Sequence, residues 1–284
     1  FISKAAKKAV EKGIIVVNSA GNEGRRPWRK IIFPSDVYGV LAVGAIDGED
    51  VSSDFTGHGY TKNDTVKPDI VALGTQTALI FGAMPCRSWG HLDALRAERP
   101  LVICADGGVH CAAAAGFAPD CYVGDGDSGG TAVAGAENIL LRPEKDESDL
   151  QAAYTMARAH GCTRLYLTAC TGGRLDHALA NLQLLETARA DGVEAILLDP
   201  DNRVTCIGPG EYVLPRTEYF YFSLLPIDAV LRGVTIEGAK YPLRDAEARR
   251  GDSLTISNEW IEPTVRLRIR EGLCWLICSG AAAR

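Results

Sequence analysis

No apolar run in this 284-residue chain approaches the roughly 18–20 residues of a membrane span. A basic surplus is missing too. Thirty Lys and Arg stand against 36 Asp and Glu, a net charge of −6, whereas nucleic-acid binding usually needs a basic face. There is no Cys-x-x-Cys pair: nine cysteines, an odd number, lie scattered from Cys86 to Cys278. That excludes a disulfide framework and a structural zinc site, and predicts free, mostly buried thiols in a reducing cytoplasm. The start, Phe1-Ile-Ser-Lys-Ala-Ala-Lys-Lys8, lacks Met and the apolar stretch of a signal peptide, and reads as a helix entered part-way.

Cysteine is also absent from the whole of residues 1–77, and charge divides at the same place. Residues 1–77 hold ten basic and nine acidic side chains; residues 78–284 hold twenty and twenty-seven. A seam near Gln76-Thr77-Ala78 is expected. The first part predicts a helix over about 2–12 and strands at Ile14–Val17, Val40–Ile46 and Asp69–Leu73. Such continuous apolar runs are those of buried parallel strands. Too few helices accompany them to cover both faces.

On Ser19-Ala-Gly-Asn-Glu-Gly24, Phe33-Pro-Ser-Asp36, Val43-Gly-Ala45, Asp54-Phe-Thr-Gly57 and Lys67-Pro-Asp-Ile70, this part resembles an internal section of the subtilisin-like serine proteases. The resemblance implies an oxyanion-hole donor at Asn22. The family's Gly-Thr-Ser nucleophile motif does not follow Leu73-Gly74, and His58 does not match its histidine motif. A donor without nucleophile or base has no intermediate to stabilise, so no peptidase activity is expected.

From Ala78 a regular alternation begins. Strands at 78–81, 101–104, 138–141, 164–168 and 195–198 interleave with helices near 88–97, 109–115, 148–160 and 176–190, which predicts a parallel sheet with ligands at the carboxyl ends of its strands. Carboxylates sit in the loops after those strands: Asp106 in Ala105-Asp-Gly-Gly108, Asp125 and Asp127 in Tyr122-Val-Gly-Asp-Gly-Asp-Ser128, Asp146 and Asp149 in Pro143-Glu-Lys-Asp-Glu-Ser-Asp149, and Asp176 in Thr171-Gly-Gly-Arg-Leu-Asp-His177. A single Asp in a Gly-rich turn usually caps its own backbone, and Asp149 also suits the first turn of a helix. Four such loops at corresponding places point instead to one rim, where hard oxygens and exposed backbone suit Mg²⁺ with a polyphosphate.

These motifs, with Asn181, Ser223-Leu-Leu-Pro226, Gly238-Ala-Lys-Tyr-Pro-Leu243 and Ile256-Ser-Asn-Glu259, resemble the thiamine pyrophosphokinases in order and spacing across residues 78–284. Departures are Gly126 for the family's Phe, Ser148 for its Thr, and Ala239 for its Leu. The resemblance implies transfer of the β,γ-pyrophosphoryl group of ATP to the hydroxyl of thiamine. It implies Asp125, Asp127 and Asp149 as Mg²⁺ ligands with Asp106 beside them as the catalytic carboxylates. For ATP it implies Lys145, Asp146, Arg174, Asp176 and His177, where Arg174 clamps phosphate and Asp176 orients Arg174 or the nucleotide. Lys145 also reads as an exposed lysine at a helix end, and His177 as a hydrogen-bonding residue at a helix start.

After Asp199-Pro-Asp-Asn202 short runs recur at about ten-residue spacing: Val204–Ile207, Tyr219–Ser223, Ala229–Ile236, Ser253–Ser257, Val265–Ile269 and Cys274–Cys278. They predict an antiparallel sandwich or barrel. In the family this part completes the thiamine pocket across a homodimer, which implies Ser257, Asn258, Trp260 and Tyr241 as thiamine contacts. Trp260 would stack on the cation, or else be an ordinary strand-end aromatic. The expected architecture is therefore an α/β ATP- and Mg²⁺-binding domain over 78–200 and a β-sandwich thiamine domain over 201–284. An inert subtilase-like α/β fragment over 1–77 precedes them, in a cytoplasmic enzyme with neither nucleic-acid nor membrane partner. An inactive chimera is the alternative, and a serine peptidase is disfavoured.

Overall fold

The computed structural model describes residues 2–12, 14–19, 40–46, 59–60, 66–67, 70–73, 76–127, 129–142, 144 and 146–281. Asn22, His58 and Lys145 lie outside the described residues. The chain divides into two units, Phe1–Gln76 with Arg158–Cys162, and Thr77–Ala157 with Thr163–Arg284.

In the first unit, helix α1 (Ile2–Glu11) and strands β1 (Val16–Ser19), β2 (Val40–Ile46) and β5 (Ile70–Leu73) form the main elements. A small antiparallel pair, β3 (Gly59–Tyr60) and β4 (Val66–Lys67), accompanies them. The three strands are parallel in the order β1-β2-β5, with Val16 opposite Val40 and Val43 opposite Ile70. Val40 and Ala42 are buried, whereas Ile15 is 85% exposed and the strand begins one residue later. Ile14 and Ile15 therefore stay outside the ladder that their apolar character predicted. Their hydrophobicity alone cannot supply the missing partner strand.

The second unit contains all or most of β6 (Gln76–Phe81), α2 (Asp93–Glu98), β7 (Leu101–Ala105), α3 (Gly108–Ala115), β8 (Cys121–Gly124), β9 (Glu137–Leu140), α4 (Asp149–Ala159), β10 (Cys162–Thr168), α5 (Leu175–Ala190) and β11 (Glu194–Leu198). Then follow β12 (Asn202–Ile207), β13 (Gly210–Pro215), β14 (Tyr219–Pro226), β15 (Val230–Glu237), β16 (Leu243–Arg249), β17 (Asn258–Glu259), β18 (Thr264–Ile269) and β19 (Cys274–Ala281). Ten strands make one sheet in the order β17-β14-β19-β12-β11-β10-β6-β7-β8-β9. β6 through β9 pair in parallel, as do β10 and β11.

The α/β half follows local rules. Buried runs such as Leu79-Ile80-Phe81 and Ile103-Cys104 fill strands covered on both faces. Alanine-rich α3 stops at Gly116, which turns left-handed at φ 75° and returns its N–H to Ala112 and Ala113. Ser148 Oγ accepts the Gln151 N–H and caps α4. The expected helix near 88–97 is a 3₁₀ turn, Gly90–Leu92, followed by the short α2.

The β half has the expected sandwich packing, and the sheet order shows how it is attached. β12, β19, β14 and β17 continue the large sheet in antiparallel fashion, and β11 joins β12 through Leu198↔Arg203. The turn between them is held by the buried Asp199 carboxylate, which accepts the N–H groups of Asp201 and Asn202 at 2.8 Å. β13, β18, β15 and β16 form a second, antiparallel sheet. One core unites the two: Phe222 and Leu224 of β14 and Leu276 of β19 cluster with Leu231 and Val234 of β15 and Val265 and Leu267 of β18. This is sandwich packing, built on an extension of the parallel sheet. Residues 253–257, expected as a strand, are turns and bends, with Ser257 at φ 55°.

Where β6 meets α3 the backbones nearly touch. A Cβ on Gly108 would lie 2.1 Å from the Phe81 carbonyl oxygen. Alanine is the better helix former by up to about 1 kcal/mol, yet a clash with backbone outweighs that gain. Gly108→Ala should lower stability by about 1–3 kcal/mol, read from a urea midpoint. Gly90→Ala, whose nearest neighbour would be 4.0 Å away, should be close to neutral. Equal midpoints for the two variants would refute the close approach.

Candidate functional site

Three loops at the carboxyl ends of adjacent parallel strands carry the acidic residues. Asp106 follows β7, Asp125 and Asp127 follow β8, and Asp149 opens α4 after β9. Parallel neighbours place these loops on one edge. The result is a cluster in which one carboxylate oxygen from each of Asp106, Asp125, Asp127 and Asp149 lies within 4.8 Å of all the others.

Asp106 is the buried member, 1% exposed, and has φ 41°, a left-handed conformation that Asp tolerates better than most residues. Two glycines permit this. A Cβ on Gly124 would lie 2.7 Å from the Asp106 Cβ, and one on Gly130 would lie 2.4 Å from its carbonyl carbon. The Asp106 Oδ1 accepts the Tyr122 hydroxyl and the Gly126 N–H, each at 3.0 Å. Burial, with the bond to Asp106, drives the Tyr122 hydroxyl well above its ordinary pKa. Asp125 Oδ1 accepts the Asp127 N–H at 3.1 Å. Asp127 is exposed, while Asp125 and Asp149 are half-buried.

The four carboxylates line a cleft of about 450 Å³, a size suited to a small ligand. The opposite wall comes from the loops after β6 and β10, which are stitched by Gly82 N–H to Thr168 O and Met84 N–H to Ala169 O. Arg174 and His177 lie on this wall, as does Asn181, whose amide donates to the Cys170 carbonyl at 2.8 Å. Asp176 pairs with Arg174 through two bonds, 2.6 and 3.2 Å, and accepts the His177 N–H. The guanidinium holds the Asp176 carboxyl down at about 2. Both side chains are exposed, so the pair adds little to the stability of the fold.

Asp146 is exposed and is not part of the cleft lining. Met84 and Glu147 line the cleft without having been singled out in the sequence, as does Ser148, noted there only as a departure from the family's Thr. Their signal was position alone: each sits in a segment directly after a strand or before α4. All nine cysteines are free thiols; eight are buried, and burial pushes Cys104 up to about 12, far from a nucleophilic thiolate.

A second group lies in the β half. Asn258 is buried; its amide donates to the Tyr241 carbonyl at 2.8 Å and its Oδ1 accepts the Tyr241 N–H at 3.0 Å. Ser257 N–H bonds Ser223 Oγ, and Tyr241 is 54% exposed. Trp260 departs from its expected role. Its ring is 4% exposed, packs on Phe222 at 4.8 Å, and donates its N–H to the Leu214 carbonyl. Core packing claims the indole, and within one copy it offers no face for stacking.

A sequence model for the thiamin pyrophosphokinase catalytic domain matches residues 92–197, and one for the thiamin pyrophosphokinase vitamin B1 binding domain matches residues 211–274. A subtilase family model matches residues 1–97. The thiamine pyrophosphokinase of Bacillus subtilis (strain 168) is 31% identical over 223 residues, 78% of this chain and 90% of that one. A crystal structure of the Bacillus subtilis thiamine pyrophosphokinase is similar with a TM-score of 0.66 and 30% identity, covering 72% of this chain and 99% of the other. That of the Geobacillus thermodenitrificans thiamin pyrophosphokinase gives 0.65, 29%, 73% and 99%.

The bidentate pair is testable by itself. With Arg174→Ala, the Asp176 midpoint should rise from about 2 toward the ordinary carboxylate value in a carboxyl-carbon NMR titration. The depressed value means that whatever the pair contributes is present above the ordinary pKa and is lost as pH falls toward 2. An unchanged midpoint would show that the guanidinium is not the cause.

Proposed function

The chain belongs to the thiamine pyrophosphokinase family, and from that premise we propose that the carboxylate-lined cleft is where pyrophosphate passes from ATP to thiamine. The reaction is that of a thiamine diphosphokinase, with ATP as co-substrate and thiamine diphosphate and AMP as products. In the transfer, the thiamine hydroxyl oxygen forms a bond to the β-phosphorus. The bond from that phosphorus to the α,β-bridging oxygen breaks, and AMP leaves with that oxygen. The hydroxyl proton passes to a base, a role we assign to one carboxylate of the cluster.

The observation that carries the site assignment is the convergence of four carboxylates within 4.8 Å. An all-oxygen donor set of this kind fits Mg²⁺, and Asp125, Asp127 and Asp149 would hold it with Asp106 adjacent. Bound there, the cation would neutralise charge on the phosphate oxygens. The chain's own groups do the rest. Arg174, held by Asp176, faces the cleft as a bidentate clamp for phosphate, and His177 lies beside it. Lys145 and Asp146 are proposed as further nucleotide contacts.

On the thiamine side we retain Ser257, Asn258 and Tyr241, supported by the bonds that tie Asn258 to Tyr241. Residues 78–200 are assigned to ATP and Mg²⁺, residues 201–284 to thiamine, and residues 1–77 no part in the reaction. Nine free thiols support a cytoplasmic setting. Among the described residues no helix is long and apolar enough to cross a membrane.

AMP release measured with ATP, thiamine and Mg²⁺ tests the reading. Turnover should require all three, vanish with excess EDTA, and fall at least 100-fold in Asp127→Asn while the melting temperature holds. Thiamine-independent AMP release, or full activity in Asp127→Asn, would overturn it.

A homodimer that completes the thiamine pocket is supported by exposed apolar side chains around β17: Phe220, Tyr241, Ile256 and Ile261. Light scattering should give twice the mass of 30.4 kDa, and Ile261→Asp should shift it toward the monomer. A monomeric wild type would remove the dimer from the proposal.

A further inference from the structure

Tyr122 lies behind the acidic cluster and is not part of the cleft lining. The residue is 1% exposed and sits in strand β8, just before the Asp125 loop. A buried tyrosine hydroxyl must find a partner, and a backbone carbonyl would serve. Here the partner is a carboxylate: the hydroxyl donates to Asp106 Oδ1 at 3.0 Å, and the Gly126 N–H donates to the same oxygen at 3.0 Å. Two donors on one oxygen set the plane of the carboxylate, and therefore where Oδ2 points.

The backbone of Asp106 has little room to adjust. Gly124 and Gly130 press on it so closely that a Cβ at either would lie under 3 Å from Asp106 atoms, and its N–H is bound to Val123 O at 2.9 Å. The side-chain torsions are the remaining freedom, and the Tyr122 hydroxyl restricts them. Gly126 sharpens the point. It stands at φ 84°, in a position with no side chain of its own to brace the loop. A donor fixed in the core is then the rigid half of the pair that orients Asp106.

We infer that Tyr122 is a positioning residue for pyrophosphoryl transfer, acting through the orientation of Asp106 within the carboxylate cluster. The inference rests on the cluster being the cation site. Outer partners that orient ligating carboxylates characteristically change metal affinity by roughly 10–100-fold when removed. Tyr122 never touches substrate, so its loss should change the cation and the turnover number, not the KM for thiamine.

The test uses the full chain and Mn²⁺ as a paramagnetic probe, with free Mn²⁺ counted by electron paramagnetic resonance in the absence of nucleotide. Tyr122→Phe keeps the ring in the core and removes only the hydroxyl, so the melting temperature should move by a few degrees at most. Mn²⁺ affinity should fall roughly tenfold, with a lower kcat and an unchanged KM for thiamine. Asp106→Asn and the double variant Asp106→Asn with Tyr122→Phe should bind Mn²⁺ equally well, because the hydroxyl acts only through Asp106. Unchanged Mn²⁺ affinity in Tyr122→Phe, or the same loss whether Asp106 is present or replaced, would overturn the inference while leaving the cation site intact. Mn²⁺ binding that is absent in the wild type, or indifferent to Asp127→Asn, would overturn the site and the inference together.

Discussion

Like-charge repulsion at the carboxyl edge of the sheet is the constraint on which the rest of the structure depends. Four carboxylates meet with oxygens inside 4.8 Å. At an effective dielectric of 20, each ionised pair at that distance is repulsive by about 3–4 kcal/mol. Exposure of Asp127 and partial exposure of Asp125 and Asp149 reduce this. Even so, these pairs oppose a folded state that whole domains favour by only roughly 5–15 kcal/mol. A fold selected for stability alone would keep these groups apart. This one uses glycines to bring them together.

The glycines do so by removing bulk where backbones converge. Gly108 lets α3 start against the end of β6, and Gly124 and Gly130 let the β8 loop close over Asp106. None of these contacts adds attraction of its own. Their effect is to make the strand ends close enough that short Asp side chains meet within 4.8 Å. Longer carboxylates would reach the same point with more rotamer freedom to lose. On the far wall the hydrogen bonds from Gly82 and Met84 to Thr168 and Ala169 do the corresponding work, holding Arg174 and Asn181 opposite the acids.

Continuity of the large sheet links the two halves of the second unit. β11 passes into β12 through a turn whose buried Asp199 also accepts the Thr171 hydroxyl at 2.8 Å. Thr171 belongs to the loop that carries Arg174. The junction between the halves and the loop that carries Arg174 are therefore tied by one carboxylate. The smaller sheet carries exposed ion pairs such as Arg270–Asp245 and Arg232–Glu247, as the large sheet does between β10 and β11 at Arg164–Glu194.

The sequence by itself determined the α/β half and its reactive rim. Parallel strands buried on both faces must be continuous apolar runs, so Leu101–Cys104 and Arg164–Thr168 were legible within a residue or two. Loops after such strands must fall on one edge, so Asp106, Asp125, Asp127 and Asp149 were legible as a group. Less was written locally in the β half. β16, Leu-Arg-Asp-Ala-Glu-Ala-Arg, has a helix-like composition and is a strand only because β15 pairs with it. Residues 253–257 have strand composition but bend away. Only the tertiary structure decided which antiparallel strands would extend the large sheet and which would form the second. It alone turned Trp260 into the core and aimed Tyr122 at Asp106. Partner choice and side-chain direction depend on residues far apart in the chain, and no local pattern records them.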